Sequence, residues 1–339
     1  MPASTTLATR TLGRDGPAVT GAGLGCWAIG GGDWAFAWGP QDDEASIAAI
    51  LHAVELGITW VDTAAVYGLG HSEEVVGEAL RRLPAGDRPL VFTKCGLVWT
   101  EGQRSGQPRN DLRPESIRRE CEDSLRRLGV EAVDLYQFHW PDQTDTPVEE
   151  SWGTMQELIA EGKVRAGGVS NFDTSLLARC EAVAHVTSLQ PPFSMISRGA
   201  AAEELPWCAE HGTGVIAYSP MQSGLLTGGF SAERVASLPE DDWRRKDPEF
   251  TSRLDRNLEL TAALAPVAER HGVSQGAVAV AWTLAFEAVT GAIVGARSPE
   301  QVDGWIAGAS LRLDAADLAE ITAAIERTGA GRGPVSPRG

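Results

Sequence analysis

The chain has 339 residues, of which 43% are hydrophobic and 22% are charged, as in ordinary globular proteins. Its 46 acidic and 29 basic residues give a net charge of −17 at pH 7, which argues against nucleic acid or an anionic membrane as the main partner. No apolar stretch approaches the ~20 residues that a membrane helix needs, and the N-terminus lacks the charged start and long apolar core of a secretory signal.

The five cysteines are widely spaced, and no two of them form a C-x-x-C pair. An odd number of cysteines without metal-ligand spacing predicts free thiols in a reducing compartment, so we expect a cytoplasmic protein without a metal site. Cys95 directly follows Lys94 and could touch an active site, although a small residue that fills space in a strand or loop is the favoured interpretation.

Two short extended segments open the chain. Residues 9–12 and 18–20 flank a glycine-bounded turn at 13–16, and this pattern predicts a small β-hairpin. We expect this hairpin to cover the floor of the domain that follows it.

From about residue 22 to 310, strand-like runs alternate with helical patterns. Helices are predicted at 42–56, 72–83, 114–128 and 147–161. Proline stands at the start of two of these helices and glycine directly follows three, which is the order that helix ends favour. Strands are predicted at 21–25, 58–62, 90–94, 133–139, 164–169, 186–190, 214–218 and 292–294.

Eight short apolar strands, alternating with helices and without a linker between them, predict an α/β fold of the (β/α)8 TIM-barrel type. We expect a single barrel domain over residues 1–339, with its core at about 10–328. Residues 228–250 interrupt the pattern after the seventh strand with a long, charged loop, and such loops are usually functional or disordered. The tail 329–339 is rich in glycine and proline, which predicts mobility.

Barrel enzymes carry their chemistry at the carboxyl ends of the strands. Polar or aromatic residues stand at or just after the ends of the predicted strands: Trp27, Asp62, Lys94, His139, Ser170 with Asn171, Gln190, Tyr218 with Ser219, and Gly295 to Arg297. This pattern indicates a functional site at one face of the barrel, although polarity also resumes wherever a strand ends.

Tyr67 lies five positions after Asp62 and completes a set that can protonate a carbonyl oxygen. A free tyrosine has a pKa of ~10 and is a poor acid at neutral pH, but a nearby ammonium lowers that pKa. Lys94 can act in this way on Tyr67, and Asp62 can keep Lys94 charged. His139 can orient a substrate oxygen or pass a proton. Singly, these residues also fit an ion pair inside the barrel, a loop tyrosine and a core histidine.

Several stretches of the sequence carry a resemblance to a known family. They are 25–27 (GCW), 61–68 (VDTAAVYG), 70–74 (GHSEE), 93–94 (TK), 134–139 (DLYQFH), 167–171 (GGVSN) and 218–225 (YSPMQSGL). On these motifs the chain resembles the aldo-keto reductases over about residues 10–328. Segments 38–43 (WGPQDD) and 139–142 (HWPD) look most like the bacterial branch that includes the general-stress reductases.

The resemblance implies an enzyme that binds a nicotinamide cofactor across the barrel mouth without a Rossmann fold and reduces an aldehyde or ketone by hydride transfer. It implies that Tyr67 gives the proton, that Lys94 lowers the pKa of Tyr67, that Asp62 holds Lys94, and that His139 positions the carbonyl. The cofactor contacts that it implies are Trp27, Asp62, Ser170, Asn171, Gln190, Tyr218, Ser219, Pro220, Met221, Ser223, Gly224, Leu225, Gly295, Arg297 and Gln301.

Arg297 favours NADP(H) over NAD(H) as the cofactor. It follows the last predicted strand and precedes a helix that opens at Pro299, and an arginine beside a helix N-terminus suits a phosphate.

Two positions depart from the family pattern. Gly229 stands where many members carry a lysine, and Trp305 stands where many carry an asparagine, so we expect the pyrophosphate and adenine contacts to differ. The long loop offers Arg234, Arg244 and Arg245 as replacements for the lysine. We therefore expect the loop to become ordered over a bound cofactor.

Aromatic residues dominate the predicted substrate pocket. We assign to it Trp27, Trp38, Tyr67, Trp99, His139 and Trp140. Aromatic loops at a barrel mouth favour an apolar or aromatic carbonyl compound, and stacking on sugar faces or simple packing of a lid stay open as alternatives.

Three other functions compete with a small-molecule carbonyl reductase. The same chemistry can run in reverse as a sugar or alcohol dehydrogenase. A redox-sensing or regulatory subunit can bind NADP(H) with little turnover, although the complete tetrad argues against it. A barrel hydrolase would need a carboxylate pair or a metal cluster at the strand ends, and the predicted strand ends carry neither.

Overall fold

The protein is described here by a computed structural model, which describes residues 7–100, 102, 106–239 and 242–337. The strands are β1 (Thr9–Thr11), β2 (Ala18–Thr20), β3 (Ala22–Gly25), β4 (Trp60–Asp62), β5 (Leu90–Cys95), β6 (Leu97–Val98), β7 (Arg109–Asn110), β8 (Leu135–Phe138), β9 (Gly167–Ser170), β10 (Ser188–Gln190), β11 (Gly214–Tyr218) and β12 (Val289–Gly295). The helices are α1 (Asp43–Glu55), α2 (His71–Arg82), α3 (Pro114–Leu128), α4 (Val148–Ala160), α5 (Thr174–Val183), α6 (Glu204–His211), α7 (Ala232–Ala236), α8 (Leu254–Ala263), α9 (Ala265–His271), α10 (Gln275–Thr283), α11 (Pro299–Asp303) and α12 (Ala315–Thr328).

Eight parallel strands close into a barrel in the order β3-β4-β5-β8-β9-β10-β11-β12, with β12 pairing back onto β3. Helices lie between successive strands, so the predicted (β/α)8 fold is confirmed. The parallel pairing brings the carboxyl ends of all eight strands to one face, where polar residues predicted at separate strand ends can meet.

The interior of the barrel is filled by large side chains and not by a channel. Trp60 and Phe92 are fully buried there, with ring centroids 5.1 Å apart. Glycines on neighbouring strands make this possible, because a Cβ at Gly23 would lie 2.2 Å from the Trp60 ring and one at Gly291 would lie 2.9 Å from it. The glycines of β3, the first strand of the barrel, are therefore explained by packing.

The predicted hairpin is confirmed and closes the amino end of the barrel. β1 and β2 pair antiparallel, and the amide of Arg14 in their turn donates to the Gly212 carbonyl at 2.8 Å. Leu12 and Val19 are buried in the same apolar cluster as Trp60. The hairpin therefore supplies the floor on which the interior side chains rest.

The segment 228–250 is more structured than the sequence predicted. It holds α7 and short 3-10 turns at Trp243–Arg245 and Pro248–Phe250, and Phe250 is buried against Trp243 and Phe230. Short turns with caps carry no periodic signal, so they could not be predicted from the sequence pattern. Residues 240 and 241 of this segment lie outside the described residues.

The tail is docked where the sequence predicted mobility. Ala330 is buried, and the Arg198 amide donates to the Arg332 carbonyl at 3.1 Å. The prediction was wrong for residues 330–333, because glycine there allows a close approach to the loop after β10 and does not mark loose chain. A Cβ at Gly331 would lie 2.1 Å from the Ile196 carbonyl oxygen. Residues 338 and 339 lie outside the described part of the chain.

Among the described helices, none combines the length and the apolar character needed to cross a membrane. Within the same residues, no group of three or more histidine, cysteine, aspartate or glutamate side chains is placed to hold a metal ion.

Candidate active site

A cavity of about 760 Å³ opens at the carboxyl ends of the barrel strands. Most of the site residues predicted from the sequence line it: Trp27, Trp38, Asp62, Tyr67, His139, Trp140, Ser170, Asn171, Gln190, Tyr218, Ser219, Pro220, Met221, Ser223, Gly224, Gly295, Arg297 and Gln301. Lys94 and Leu225 are fully buried behind its wall. One face of the barrel thus gathers residues that are far apart in the sequence.

Lys94 is the centre of the polar network at the bottom of this cavity. Its Nζ lies 2.5 Å from Asp62 Oδ1, 2.8 Å from the Thr63 carbonyl oxygen and 3.2 Å from Tyr67 Oη. Lys94 and Asp62 are almost completely buried, and they end neighbouring parallel strands, β4 and β5. The adjacent strand ends therefore bring the ammonium, the carboxylate and the phenol into direct contact.

The second oxygen of Asp62 is held by two glutamines. Gln190 Nε2 donates to Asp62 Oδ2 at 2.9 Å, and Gln137 Nε2 lies 3.4 Å from the same oxygen. Gln190 Nε2 also lies 3.2 Å from Gln137 Oε1. Sequence reasoning missed Gln137, although it stands two positions before His139 in a predicted strand and therefore on the same face.

Burial dominates the acidity of Tyr67. Desolvation raises its pKa, and the attraction of Lys94 only partly offsets that rise, so the pKa stays above its ordinary value. Lys94 lowers the pKa of Tyr67, as predicted, but burial of the phenol raises this pKa by more. Tyr67 is therefore protonated at neutral pH.

The lysine and the histidine of the tetrad carry different charges. Burial alone would lower the pKa of Lys94, but Asp62 and Tyr67 together raise it, so the side chain is an ammonium ion. Burial and then the Lys94 charge hold the pKa of His139 well below its ordinary value. His139 is therefore a neutral imidazole at neutral pH, with its ring 5.7 Å from the Tyr67 ring. It suits a hydrogen bond to a substrate oxygen better than release of a proton.

A second polar group lies beside the tetrad. Asn171 adopts a left-handed backbone conformation with φ of 61°, and its Nδ2 donates to the His139 carbonyl at 3.0 Å. Tyr218 Oη donates to Asn171 Oδ1 at 3.0 Å, and Ser170 Oγ donates to the Gln190 carbonyl at 2.7 Å. These bonds fix a wall of amide and hydroxyl groups next to the Tyr218 ring.

Comparison with known proteins now identifies the family. The sequence profile described as the aldo/keto reductase family matches residues 23–326. This chain belongs to the aldo/keto reductase family. It is 36% identical to an aldo-keto reductase of Bacillus subtilis over 308 residues, which cover 90% of each chain. It is 34% identical to the NADH-specific methylglyoxal reductase of Escherichia coli over 333 residues, covering 93% of this chain and 98% of that protein.

Solved structures agree with the family assignment. The glycerol dehydrogenase of Gluconobacter oxydans superposes with a TM-score of 0.85 at 37% identity, covering 99% of this chain and all of that one. An aldo-keto reductase of Bacillus halodurans in its holo form superposes with a TM-score of 0.76 at 25% identity and 98% coverage of both chains. Members of the aldo/keto reductase family are oxidoreductases that act on carbonyl or alcohol groups with nicotinamide cofactors, and this chain shares that class.

The lining of the cavity in this aldo/keto reductase fits a nicotinamide dinucleotide, because polar groups stand at both ends of it. The polar wall at Ser170 and Asn171 stands at one end, and Arg297 and Gln301 stand at the other. Between them the chain after β11 turns through a left-handed conformation at Ser219, Gln222, Ser223 and Gly224. A Cβ at Gly295 would meet only the Gly25 carbonyl oxygen, at 3.8 Å, so the backbone there is open to a ligand.

Arg297 is tied to the loop that precedes α1. Its Nε donates to Gln41 Oε1 at 2.6 Å, a second guanidinium nitrogen donates to the Pro40 carbonyl, and Gln41 Nε2 donates back to the Arg297 carbonyl at 2.9 Å. The Arg297 amide donates to Gln301 Oε1 at 2.9 Å. Sequence reasoning missed the role of Gln41, because the pairing joins segments at opposite ends of the chain.

The segment 228–250 is called here the mouth loop, and its described residues lie over part of the opening. Trp243 stacks on Trp27 with a centroid distance of 6.5 Å and meets Trp38 edge-on at 5.5 Å. Arg244 lies over the Trp38 ring at 5.0 Å and pairs with Asp242 at 2.6 Å. The mouth loop therefore packs against Trp27 and Trp38 at the opening of the cavity.

The predicted arginines of the mouth loop divide into two groups. Arg234 and Arg244 line the cavity, whereas Arg245 donates to the Leu238 carbonyl at 2.7 Å and is not among the lining residues. Arg234 Nη1 lies 3.3 Å from the position that a Cβ at Gly229 would occupy.

The substrate end of the cavity is more apolar than the sequence alone indicated. Trp34, Phe36, Val66 and Leu97 line it in addition to the predicted aromatic residues. Trp99 does not line it and instead packs in the cluster behind Trp34. These residues lie in loops or in the two-residue strand β6, which carry no periodic pattern, so the pocket predicted from the sequence omitted four of them and wrongly included Trp99.

Two further positions are now explained. Cys95 is buried and its Sγ lies 3.8 Å from the Gln137 carbonyl oxygen, away from the cavity wall, so the space-filling interpretation holds. Trp305 lines the cavity and is 2% exposed. Its indole N–H is buried and has no hydrogen-bond partner among the described residues.

Proposed function

We propose that this protein is an NADP(H)-dependent reductase that converts an aldehyde or a ketone into an alcohol, with Tyr67 as the proton donor. The observation that carries the proposal is the contact of Lys94 Nζ with both Asp62 Oδ1 at 2.5 Å and Tyr67 Oη at 3.2 Å, directly behind the cavity wall. The nicotinamide cofactor, when bound, supplies the hydride. The remaining steps belong to side chains of this chain.

Tyr67 is the group suited to protonate the carbonyl oxygen. Its raised pKa keeps the proton available at neutral pH. Lys94 stabilises the phenolate that remains after proton transfer, because a positive charge beside a developing anion lowers the barrier. Asp62 keeps Lys94 charged and in place. His139, which is neutral, donates a hydrogen bond to the same substrate oxygen and orients it.

The preference for NADP(H) rests on Arg297 at the far end of the cavity. A guanidinium matches the geometry of a phosphate, and Gln41 and Pro40 fix this one in position. The pyrophosphate would lie along Ser219, Met221, Ser223 and Gly224. Arg234 would take the role of the lysine that many family members carry at the position of Gly229. The Escherichia coli relative is named for NADH, so NADH is the competing cofactor.

The apolar mouth supports a carbonyl compound with an apolar or aromatic group as substrate. Oxidation of an alcohol is the second candidate activity, because a structural relative is a glycerol dehydrogenase and the chemistry is reversible. Product ratios at cellular cofactor ratios distinguish the two directions.

Burial of all five cysteines as free thiols supports a reducing compartment, which agrees with the proposed cytoplasmic location. The closed barrel supports the proposal of a single domain over residues 1–339 with its core at about 10–328.

Tyr67→Phe tests the proposal. It should lower carbonyl reduction by ~10²–10⁴-fold, the usual contribution of a general acid, and leave NADPH binding nearly unchanged because little packing is lost. The measurement is NADPH absorbance with a panel of aldehydes and ketones, together with NADPH binding by fluorescence. Tyr136→Phe is the matched control, since Tyr136 is buried and is not among the residues that line the cavity.

Two results would contradict the proposal. If Tyr67→Phe keeps more than about a tenth of the wild-type turnover while chemistry limits the rate, Tyr67 is not the acid. If the wild type binds NADPH but reduces no carbonyl compound of the panel, the protein is a binding subunit and not a reductase.

A further inference from the structure

A second cavity, of about 250 Å³, lies apart from the residues that form the first. It is enclosed by the loop after β10, by the docked tail and by the end of the mouth loop. Three arginines line it, Arg198, Arg253 and Arg332, and Glu249 is the one acidic side chain in its lining. The lining therefore has an excess of positive charge, in a chain whose net charge is −17.

Arg198 holds together the segments that line this cavity. It is 3% exposed and donates to the Ala330 carbonyl at 3.0 Å, to the Gly333 carbonyl at 3.2 Å and to the Met195 carbonyl. These bonds hold the tail against the loop after β10. Arg198 therefore adds fixed positive charge, but its donors are directed at the backbone.

Other donors at the cavity are not used by the protein. Arg332 is an exposed residue, and its guanidinium makes no hydrogen bond or ion pair with the other described residues. Arg253 uses Nη1 to reach Glu249 at 2.6 Å, which leaves Nε and Nη2. Gln222 accepts a bond from Ser194 at 2.8 Å through Oε1, which leaves its amide N–H groups.

The negative charge of Glu249 is already engaged. Besides Arg253, its carboxylate accepts a hydrogen bond from Asn257 Nδ2 at 2.8 Å, and Arg256 lies at 4.0 Å. Glu249 therefore positions the arginines and leaves the outward guanidinium groups available to a second anion.

We propose that this cavity is a binding site for a small phosphate-class oxyanion, held by Arg332, Arg253 and the Gln222 amide. Planar guanidinium groups match the oxygens of a phosphate in two-point contacts. The volume of about 250 Å³ lies below the ~300–1,000 Å³ of pockets for larger ligands, which suits inorganic phosphate or a short phosphate ester.

The position of the site links it to the main cavity. Gln222 begins the turn Gln222–Thr227, in which Ser223 and Gly224 line the main cavity. Glu249 belongs to the turn Pro248–Phe250, which ends the mouth loop and buries Phe250 against Trp243. A bound oxyanion joins these two segments to the tail, so it stabilises the mouth loop and slows release of the cofactor.

The test is a titration of the cofactor-saturated protein with inorganic phosphate and, separately, with glycerol 1-phosphate, at constant ionic strength set with sodium chloride. Saturation with cofactor keeps the probe away from the Arg297 end of the main cavity. Calorimetry should detect one site, and Arg332→Ala and Arg253→Ala should each weaken binding roughly tenfold or more, as expected for loss of a charge-assisted bond. Arg88→Ala is the matched control, since Arg88 is exposed and precedes β5 at the amino end of the barrel.

Tighter binding of one probe identifies the source of the oxyanion, and either probe supports the site. In stopped-flow measurements the bound probe should slow cofactor release from the wild type but not from Arg332→Ala. The proposal is overturned if the wild type binds neither probe, or if both arginine variants bind as tightly as Arg88→Ala. None of these outcomes depends on Tyr67, so failure here leaves the proposed reductase function intact.

Discussion

The two ends of the main cavity are built in different ways. At the tetrad end, Asp62 and Lys94 lie on adjacent barrel strands, are almost fully buried and engage their polar atoms with each other and with neighbouring strands. At the far end, Arg297 is half-exposed and depends on Gln41, which is 256 residues away in the chain and lies in a loop. The polar network of the tetrad is therefore held by the sheet itself, whereas Arg297, on which the proposed cofactor preference rests, is held by contacts between two loops.

The largest effect expected at the strand-built end comes from Lys94→Met. It should abolish reduction and also destabilise the fold by about 3–5 kcal/mol, because it leaves the buried Asp62 carboxylate without its partner. Turnover and thermal unfolding measure the two effects. The double variant Lys94→Met with Asp62→Asn should recover much of the stability and none of the activity. Unchanged stability in the single variant would show that the pair is not held as rigidly as described.

Asp62→Asn should have a smaller effect on rate and a distinctive effect on pH dependence. The Asp62 carboxylate is one of the groups that raise the pKa of Tyr67. While Lys94 stays charged, removal of this carboxylate should lower the pKa of Tyr67, and reduction is lost as pH rises through that pKa because the proton donor ionises. The basic limb of the kcat profile should therefore move to lower pH. A limb that stays in place would mean that Asp62 does not act on Tyr67.

At the loop-built end, Arg297→Ala should raise the Michaelis constant for NADPH roughly ten- to a hundredfold, since a charge-assisted contact is worth ~1.5–3 kcal/mol. The constant for NADH should change little. Gln41→Ala should act in the same direction but more weakly, because the guanidinium remains and only its positioning is lost. Equal losses for both cofactors, or a wild type that prefers NADH, would remove the basis for NADP(H) preference.

The smallest effect concerns the mouth loop, where limited trypsin digestion reports on order. Cleavage after Arg234 and Arg245 should slow when NADPH is bound, and Trp243→Ala should speed cleavage without cofactor because the stacking on Trp27 is lost. Cleavage after Arg88 serves as the internal standard. Equal rates with and without NADPH would show that the loop does not respond to the cofactor.

The difference between the strand-built end and the loop-built end of the main cavity also explains which features could be predicted from the sequence. Asp62, Lys94 and His139 were found because strand periodicity marks where strands end, and parallel strands bring those ends together. The support of Arg297 by Gln41, the lining by Phe36 and the displacement of Trp99 depend on loop conformations that leave no periodic trace. The raised pKa of Tyr67 depends on how deeply the surrounding walls exclude water, which no spacing of residues encodes.

The side chains that fill the barrel interior have a kinetic consequence. Trp60, Phe92 and the hairpin residues Leu12 and Val19 block the axis below the tetrad, so no route for a ligand runs down through the described interior. Substrate, product and cofactor must therefore all enter and leave through the opening of the main cavity beneath the mouth loop. Because all ligands pass through one entrance, we expect ordered binding and release. A molecule bound at the entrance would prevent the release of any ligand beneath it.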